Sequence, residues 1–234
     1  MKPSAVLRLF SLPLAAAIVA PALRGTDAET LLRAVAARYA SATDYSLRVR
    51  TNSSASSSDF TLAASLPHQS MLRQKSRTNG RFELLLTADA TAAWGYQPHR
   101  KLYTKSGPER GEERTELARV HHQYFGRFQH LDRLATDAKV VGHGSVRSGG
   151  RAVLCIRVRI ESAGESGAEE LWIDPARHLV LKAVARLKRP MPETGDIVTT
   201  TVWYECDLDH PADPSLFTFQ PPPGTRRTNT LEYR

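Results

Sequence analysis

The spacing of apolar residues predicts one helix near the N-terminus and strands after it. Behind a capping box at residues 26–29, apolar side chains recur at steps of three and four. These side chains are Leu31, Leu32, Val35, Ala36 and Tyr39. The pattern predicts an amphipathic helix over residues 28–42. From Tyr45 onward the period changes to two, which predicts a β-strand.

Alternating segments recur along the rest of the chain and predict two antiparallel meanders. The first has short strands that begin near Tyr45, Phe60, Met71, Phe82, Trp94 and Leu102, with a hairpin turn at residues 78–81. The second is predicted at residues 139–146, 152–161, 169–173, 179–188 and 197–207. Because no repeat or linker divides them, we expect a single domain over residues 23–234.

A helical pattern interrupts the strands between residues 112 and 134. Leu117, Val120 and Phe125 belong to an apolar set at steps of three and four, and Gly126 predicts a break in the helix. The element order predicts an α+β fold. We expect a strongly curved antiparallel sheet, an unclosed β-barrel of about ten to eleven strands, whose concave face is covered by the N-terminal helix and the helical insertion.

Alternation along the strands predicts one apolar and one polar face of the sheet. Leu47 and Val49, for example, alternate with arginines. The candidates for the apolar face are Leu47, Val49, Phe60, Leu62, Trp94, Tyr96, Ile156, Val158, Val202 and Tyr204. Either an ordinary filled core or a ligand cavity fits this pattern.

The C-terminal segment, residues 214–224, combines two aromatic residues with three prolines. Phe217 and Phe219 lie two residues apart, so an extended segment places both rings on one face before the prolines end the strand. This segment resembles the end of the periplasmic lipoprotein carriers of the LolA type. Residues 88–98 and 171–175 resemble further motifs of that superfamily, so the similarity follows most of the chain in order.

The resemblance implies a carrier in which an unclosed barrel surrounds helices that act as a lid over an apolar cavity. The implied ligands are acyl chains of lipoproteins or lipids, held by the apolar-face candidates, with Leu117, Val120 and Phe125 on the lid. The carriers have an arginine before a proline after the second strand, whereas here Leu66 precedes Pro67. Because leucine has no donor, we expect lid closure at Leu66 to depend on apolar contacts.

Partners also follow from the resemblance. It implies an inner-membrane donor and an outer-membrane acceptor, no cofactor and a monomeric carrier. Nucleic acid is not expected as a partner, because the chain has an export signal and its Lys and Arg residues are scattered over every segment. Proteins similar to RseB use the same fold to bind a membrane-embedded anti-sigma factor during envelope stress. A sensing or interaction module of that kind is therefore the alternative function.

The N-terminus has the pattern of a cleaved secretory signal. Lys2 and Arg8 precede an apolar run, and small residues at 20–22 suit a signal peptidase, with a second cleavage site after Ala28. The run is shorter than a membrane span requires. No cysteine lies there for lipid attachment. We expect an exported, soluble periplasmic protein that is not lipidated.

The net charge of +8, which falls to +6 after removal of Lys2 and Arg8, suits an acidic partner or an anionic lipid surface, although a basic surface without such a partner also fits it. The chain has no phosphate-binding loop, nucleophile elbow or paired-cysteine motif. We therefore expect a binding protein that is not an enzyme.

Three histidines and one acidic cluster are candidates for chemistry. His121 and His122 point about 100° apart on a helix and do not form a metal-ligand pair, so with His130 they are expected to be solvated or helix-capping. The Asp207, Asp209 and His210 cluster is expected to form a turn.

Cys155 and Cys206 lie on strands that the predicted meander separates by two others. At about 4.8 Å per strand the two cysteines are about 14 Å apart, beyond the reach of a disulfide. We expect two free, partly buried thiols.

Overall fold

The computed structural model describes residues 27–78, 82–108, 111–161, 167–188 and 197–231. The predicted signal segment, residues 1–22, and residues 79–81 of the predicted hairpin turn lie outside these ranges. None of the described helices is both long and apolar enough to cross a bilayer.

Helix α1 (Ala28–Ala40) begins where the sequence predicted. Its N-cap is Asp27, whose carboxylate accepts a hydrogen bond from the backbone N–H of Glu29 at 3.4 Å. The predicted helical insertion consists of helix α2 (Glu112–Tyr124) and a 3₁₀-helix (Gly126–Asp137). The helical segment therefore breaks at Phe125, next to the predicted Gly126.

The strands form one sheet whose order follows the chain within each meander. They are β1 (Asp44–Asn52), β2 (Ser57–Ser65), β3 (Gln69–Ser76), β4 (Glu83–Ala88), β5 (Ala93–Gln97), β6 (Leu102–Ser106), β7 (Ala138–Ser148), β8 (Arg151–Glu161), β9 (Ala168–Asp174), β10 (Leu179–Lys188), β11 (Ile197–Asp207) and β12 (Arg226–Arg227). The order is β12-β6-β5-β4-β3-β2-β1-β11-β10-β9-β8-β7. Pairing of β1 with β11 joins the two meanders.

The sheet is strongly curved, unclosed and almost entirely antiparallel, as predicted. Among the described strands, only the short β12 pairs in parallel, with β6. Helix α1 packs against the 3₁₀-helix and contacts β7 and β10, whereas α2 contacts β3, β4 and β5. The face under these helices is called the inner face below.

A row of buried residues defines the inner face across seven neighbouring strands, from β11 to β6. Cross-strand pairing places these residues opposite one another in the order Cys206, Leu47, Leu62, Leu72, Leu86, Gly95 and Thr104. All seven are buried. This row and the apolar sides of the helices form the main core.

The C-terminal segment corrects one prediction about strands. Residues Pro214–Phe217 form a 3₁₀-helix, because Asp213 caps it and accepts a hydrogen bond from Ser215 at 2.9 Å. Phe217 is buried in a small second cluster with Ala63 and Met71. Ala63 and Met71 are the chain neighbours of the inner-row residues Leu62 and Leu72, so their side chains point to the opposite face. Phe217 therefore packs on the outer face of the sheet.

Candidate functional site

The inner face contains most of the residues that the sequence proposed for a ligand cavity. Seven of the ten are buried there: Leu47, Val49, Phe60, Leu62, Ile156, Val158 and Tyr204. Val202 is partly buried and packs against the same core. Most of these side chains touch other protein atoms instead of an open space, so the greater part of the inner face is a filled core.

Trp94 and Tyr96 lie on the opposite face from the other eight candidates. Pairing places Gly95 across from Leu86, so Gly95 faces inward and its two neighbours face outward. Both outer rings pack on Phe219, with ring centroids 5.7 Å and 5.4 Å apart. The expectation that Trp94 and Tyr96 share the inner face is wrong, because alternation alone does not identify which of the two alternating sets of side chains faces the helices.

The proposed lid residues are part of the core. Leu117, Val120 and Phe125 are all buried. Phe125 stacks on Tyr45 with centroids 3.7 Å apart and an interplanar angle of 6°, and it also contacts Tyr39. The aromatic residues therefore fix the helices on the sheet.

Leu66 occupies a different position from the lid residues. It lies in the turn between β2 and β3 and is 48% exposed. Its backbone N–H donates to the carbonyl of Thr43 at 2.8 Å. Leu66 is thus not a core residue.

A cavity of 390 Å³ remains between the inner face and the helices, near the start of the 3₁₀-helix. Its apolar lining includes Ala183, Ala185 and Val202 and the rings of Tyr124 and Tyr204. Its polar lining includes Thr51, Ser53, Ser56, Gln123, Arg127, Glu169 and Thr200. The small side chains of Ala183 and Ala185 on β10 leave room for this space between the strand and the helices. This inner cavity is the candidate site.

Two polar features mark the inner cavity. Arg127 forms an ion pair with Glu169, and both side chains are partly buried. Tyr204 is only 2% exposed, and its hydroxyl has no hydrogen-bond partner among the described residues. Burial raises the pKa of Tyr204, so its hydroxyl stays protonated and can donate. Leaving such a buried donor unpaired costs about 1–3 kcal/mol.

The sequence pattern did not identify the polar part of this site. Arg127 and Glu169 are separated by 42 positions, and each occurs in a segment with other charged residues. Only the packing of the 3₁₀-helix over β9 brings them together. The unusual feature in the sequence is the pair Ala183 and Ala185, which are small residues at inward positions of a strand.

His121 contradicts the expectation of a solvated histidine. Its Nε2 lies 3.1 Å from the carbonyl oxygen of Met71, and its Nδ1 pairs with the Tyr45 hydroxyl. Burial lowers the pKa of His121 from 6.5 to about 4, although the Met71 carbonyl opposes the shift. His122 and His130 are exposed. Within the described ranges, His, Cys, Asp and Glu side chains form no group of three suited to a metal ion.

Asp207 forms the predicted turn. Its carboxylate accepts hydrogen bonds from the backbone N–H groups of Asp209 and His210, at 3.0 Å and 3.2 Å. Cys155 and Cys206 are free and buried. Strands β9 and β10 separate them, as the sequence predicted.

No protein-family model matches the chain, and no curated protein matches it. Similar solved structures include MucB, which is 14% identical with a TM-score of 0.48, over 84% of this chain and 64% of MucB. LprF from Mycobacterium bovis is 12% identical with a TM-score of 0.44, over 80% of this chain and 97% of LprF. Lipoprotein LppX from Mycobacterium tuberculosis is 12% identical with a TM-score of 0.45, over 76% of this chain and 93% of LppX.

The chain spans less than two thirds of the MucB structure. At these identities and TM-scores the similarity assigns neither a family nor an activity to the chain. The residues around the inner cavity are the basis on which a function can be proposed.

Proposed function

We propose that the chain is an exported periplasmic binding or carrier protein that holds an acyl chain of a lipoprotein or lipid in the inner cavity. The observation that supports this best is the buried, unpartnered hydroxyl of Tyr204 beside the Arg127–Glu169 pair. A cavity that combines the apolar side chains of Ala183, Ala185 and Val202 with hydrogen-bonding and charged groups matches a ligand with an apolar chain and a polar head.

The apolar wall suits a single chain. The volume of 390 Å³ lies near the lower end of the range for ligand pockets. Ala183, Ala185 and Val202 offer no hydrogen-bonding groups on their side chains, so methylene groups can replace water there. Each buried methylene contributes about 0.8 kcal/mol. Part of that gain offsets the cost of ordering the ligand.

The group of Tyr204, Arg127 and Glu169 suits the carbonyl or carboxylate that joins an acyl chain to its carrier molecule. The Tyr204 hydroxyl can donate a hydrogen bond to a carbonyl oxygen, which satisfies the unpaired donor. The Arg127 guanidinium offers further donors to an anionic head, while Glu169 holds its position. Binding of this kind needs no covalent chemistry, so no catalytic residue is part of the proposal.

A fluorescence titration with cis-parinaric acid, a fatty acid whose emission rises when it leaves water, tests the proposal. Ala185→Phe fills the cavity and should weaken binding by at least about tenfold, or about 1.4 kcal/mol. Val184→Phe adds a similar ring on the outer face of the same strand and should leave binding unchanged. If wild-type protein fails to bind the probe, or both variants bind it like wild type, the inner cavity is not an acyl site.

The alternative function, an interaction module similar to RseB, stays a prediction from the sequence. No feature of the inner cavity favours it over acyl binding. Crosslinking in cells separates the two, because a regulator traps one membrane protein whereas a carrier traps lipid-modified clients.

A further inference from the structure

The outer face of the sheet has an ordered row of cations and aromatic rings. Cross-strand pairing places the residues of this row in the order Arg157, Trp172, Lys182, Trp203, Arg50 and Asp59, on six neighbouring strands. Lys182 Nζ lies 4.5 Å from the centroid of Trp172 and 6.0 Å from that of Trp203. The row holds positive groups in fixed positions across the sheet.

The tip of the β7–β8 hairpin folds over this face. A Cβ added at Gly144 would lie 2.4 Å from Cζ3 of Trp172, so the β7 backbone passes directly against that ring. The hairpin turns at Gly149 and Gly150, whose φ values of +55° and +79° suit a two-residue turn that favours glycine. Val146 on β7 and Leu181 on β10 are both buried, and both line the space beside the tip. The tip therefore forms a wall beside the cation–aromatic row.

The space between this wall and the sheet is a groove of 960 Å³, called the outer groove here. Two acidic residues line it, Asp59 and Glu205. Five basic residues line it as well, which gives a surplus of three positive charges: Arg48, Arg50, Arg77, Arg147 and Lys182. Asp59 already contacts two cations, Arg50 at 3.2 Å and Arg77 at 3.7 Å. Within the described ranges, Arg48 and Arg147 form no ion pair or hydrogen bond, and both are exposed.

The groove geometry selects the shape of a ligand. From β3, beside Arg77, to β10, with Lys182, four strand spacings cover about 19 Å. One phosphate or carboxylate contacts one or two of these cations, whereas an extended peptide of about six residues spans them all. Strands β1, β2, β10 and β11 are each hydrogen-bonded to a strand on both sides. A ligand therefore cannot add a strand here and must be recognised by side chains.

We propose that the outer groove binds an extended acidic segment of a partner polypeptide, whose carboxylates pair with Arg48, Arg50 and Arg147. Guanidinium groups bind carboxylates with two parallel hydrogen bonds. The carboxylates of Asp59 and Glu205 inside the groove repel a uniformly charged polyphosphate, while a peptide can direct amide N–H groups toward them. A planar bilayer surface does not reach the floor of the groove behind the hairpin wall. The proposal is independent of acyl binding in the inner cavity.

Fluorescence anisotropy with a fluorescein-labelled decapeptide of alternating Glu and Ser tests this assignment. The double variant Arg48→Glu, Arg147→Glu should weaken binding by at least about tenfold. The double variant Arg133→Glu, Lys139→Glu makes the same charge change at exposed positions that do not line the groove. This matched control should change binding by less than about twofold. Equal loss in both double variants overturns the site, because binding then follows net charge alone.

Two further arms identify the ligand class and separate the two sites. A single-stranded deoxycytidine decamer should compete with the acidic peptide only weakly; displacement at lower concentrations than unlabelled peptide overturns the polypeptide assignment. Binding of cis-parinaric acid should be unaltered in the Arg48→Glu, Arg147→Glu variant. Loss of fatty-acid binding in that variant shows that the groove and the inner cavity are one site, which contradicts the proposal.

Discussion

His121 and Tyr204 are polar side chains in the same core, but their hydrogen bonding differs. Both ring nitrogens of His121 have partners, whereas the Tyr204 hydroxyl has none within the described residues. A satisfied polar group contributes to a defined core, and an unsatisfied one is a cost that a ligand can remove. The two residues therefore give opposite predictions.

We expect His121 to make the protein less stable in acid. The pKa of His121 is lowered to about 4 by burial, so between pH 6.5 and pH 4 the unfolded chain binds a proton that the folded chain does not. The free energy of unfolding should fall over that window by up to about 3 kcal/mol. Urea titrations at several pH values should show a shallower acid slope for His121→Gln. Exposed His122→Gln is the matched control, and an equal slope in all three proteins contradicts the buried neutral histidine.

Tyr204→Phe removes only the unpaired hydroxyl. The ring keeps its edge contact with Phe128, at 5.3 Å between centroids. We expect the free energy of unfolding to stay equal or rise, because no hydrogen bond is lost. Binding of cis-parinaric acid should weaken several-fold. A loss of more than about 1 kcal/mol in urea denaturation would show that the hydroxyl has a partner in the folded protein.

Leu66→Arg tests the prediction that the residue before Pro67 influences ligand release. Because Leu66 is 48% exposed, the substitution should change the free energy of unfolding by less than about 0.5 kcal/mol. We expect the rate of cis-parinaric acid release to change more than stability does. Stopped-flow release from wild type and the variant measures this, and equal rates show that the turn does not influence the lid.

At the scale of elements, the helical insertion is fixed to the sheet by aromatic contacts and is not a loosely seated cover. Phe125 lies at the break between α2 and the 3₁₀-helix, where it stacks on Tyr45 and lies tilted against Tyr39. Phe128 continues the cluster toward Tyr39 and Tyr204. Displacement of the helical insertion from the sheet must separate some of these rings.

Phe125→Ala measures how firmly the insertion is fixed. Loss of a fully buried ring should lower the free energy of unfolding by about 3–5 kcal/mol. Leu134→Ala, at a 45% exposed position of the same segment, should cost less than about 0.5 kcal/mol. Urea denaturation of both variants gives the comparison. A cost below about 1 kcal/mol for Phe125→Ala would mean that the insertion closes only weakly.

The elements themselves could largely be predicted, since period and turn residues are local signals. Helix α1, the break near Gly126 and the strands of both meanders follow from such signals. Phe217 and Phe219 were assigned to a strand because alternation favours one, but the Asp213 cap and Pro214 begin a 3₁₀-helix instead. Trp94 faces outward because its neighbour Gly95 pairs with Leu86 of the inner row, and the ring that covers it, Phe219, lies 125 positions away, beyond any local pattern.

For the whole molecule, the two faces of one sheet have different chemistry. The inner face combines a filled apolar core with a small cavity, and the outer face has the cation–aromatic row and the outer groove. The apolar inner row follows from strand alternation. The cavity does not, because its volume depends on how closely the helices approach Ala183 and Ala185 on β10.

The two thiols report on the integrity of this whole arrangement. Burial raises the pKa of Cys155 to about 11 and that of Cys206 to about 12, so little thiolate is present at pH 8. Native protein should resist iodoacetamide, whereas both thiols should react in concentrated guanidinium chloride. Intact-mass measurement counts the labels. Rapid labelling of one thiol in native protein would show that its side of the core opens locally.

Native mass spectrometry of detergent-free protein purified from its own cells tests acyl binding in the inner cavity most directly. Wild-type protein and Val184→Phe should carry a single lipid-sized ligand per chain, and Ala185→Phe should be empty. Wild-type protein that is ligand-free and takes up no added fatty acid, or an equal ligand mass on Ala185→Phe, would contradict the account.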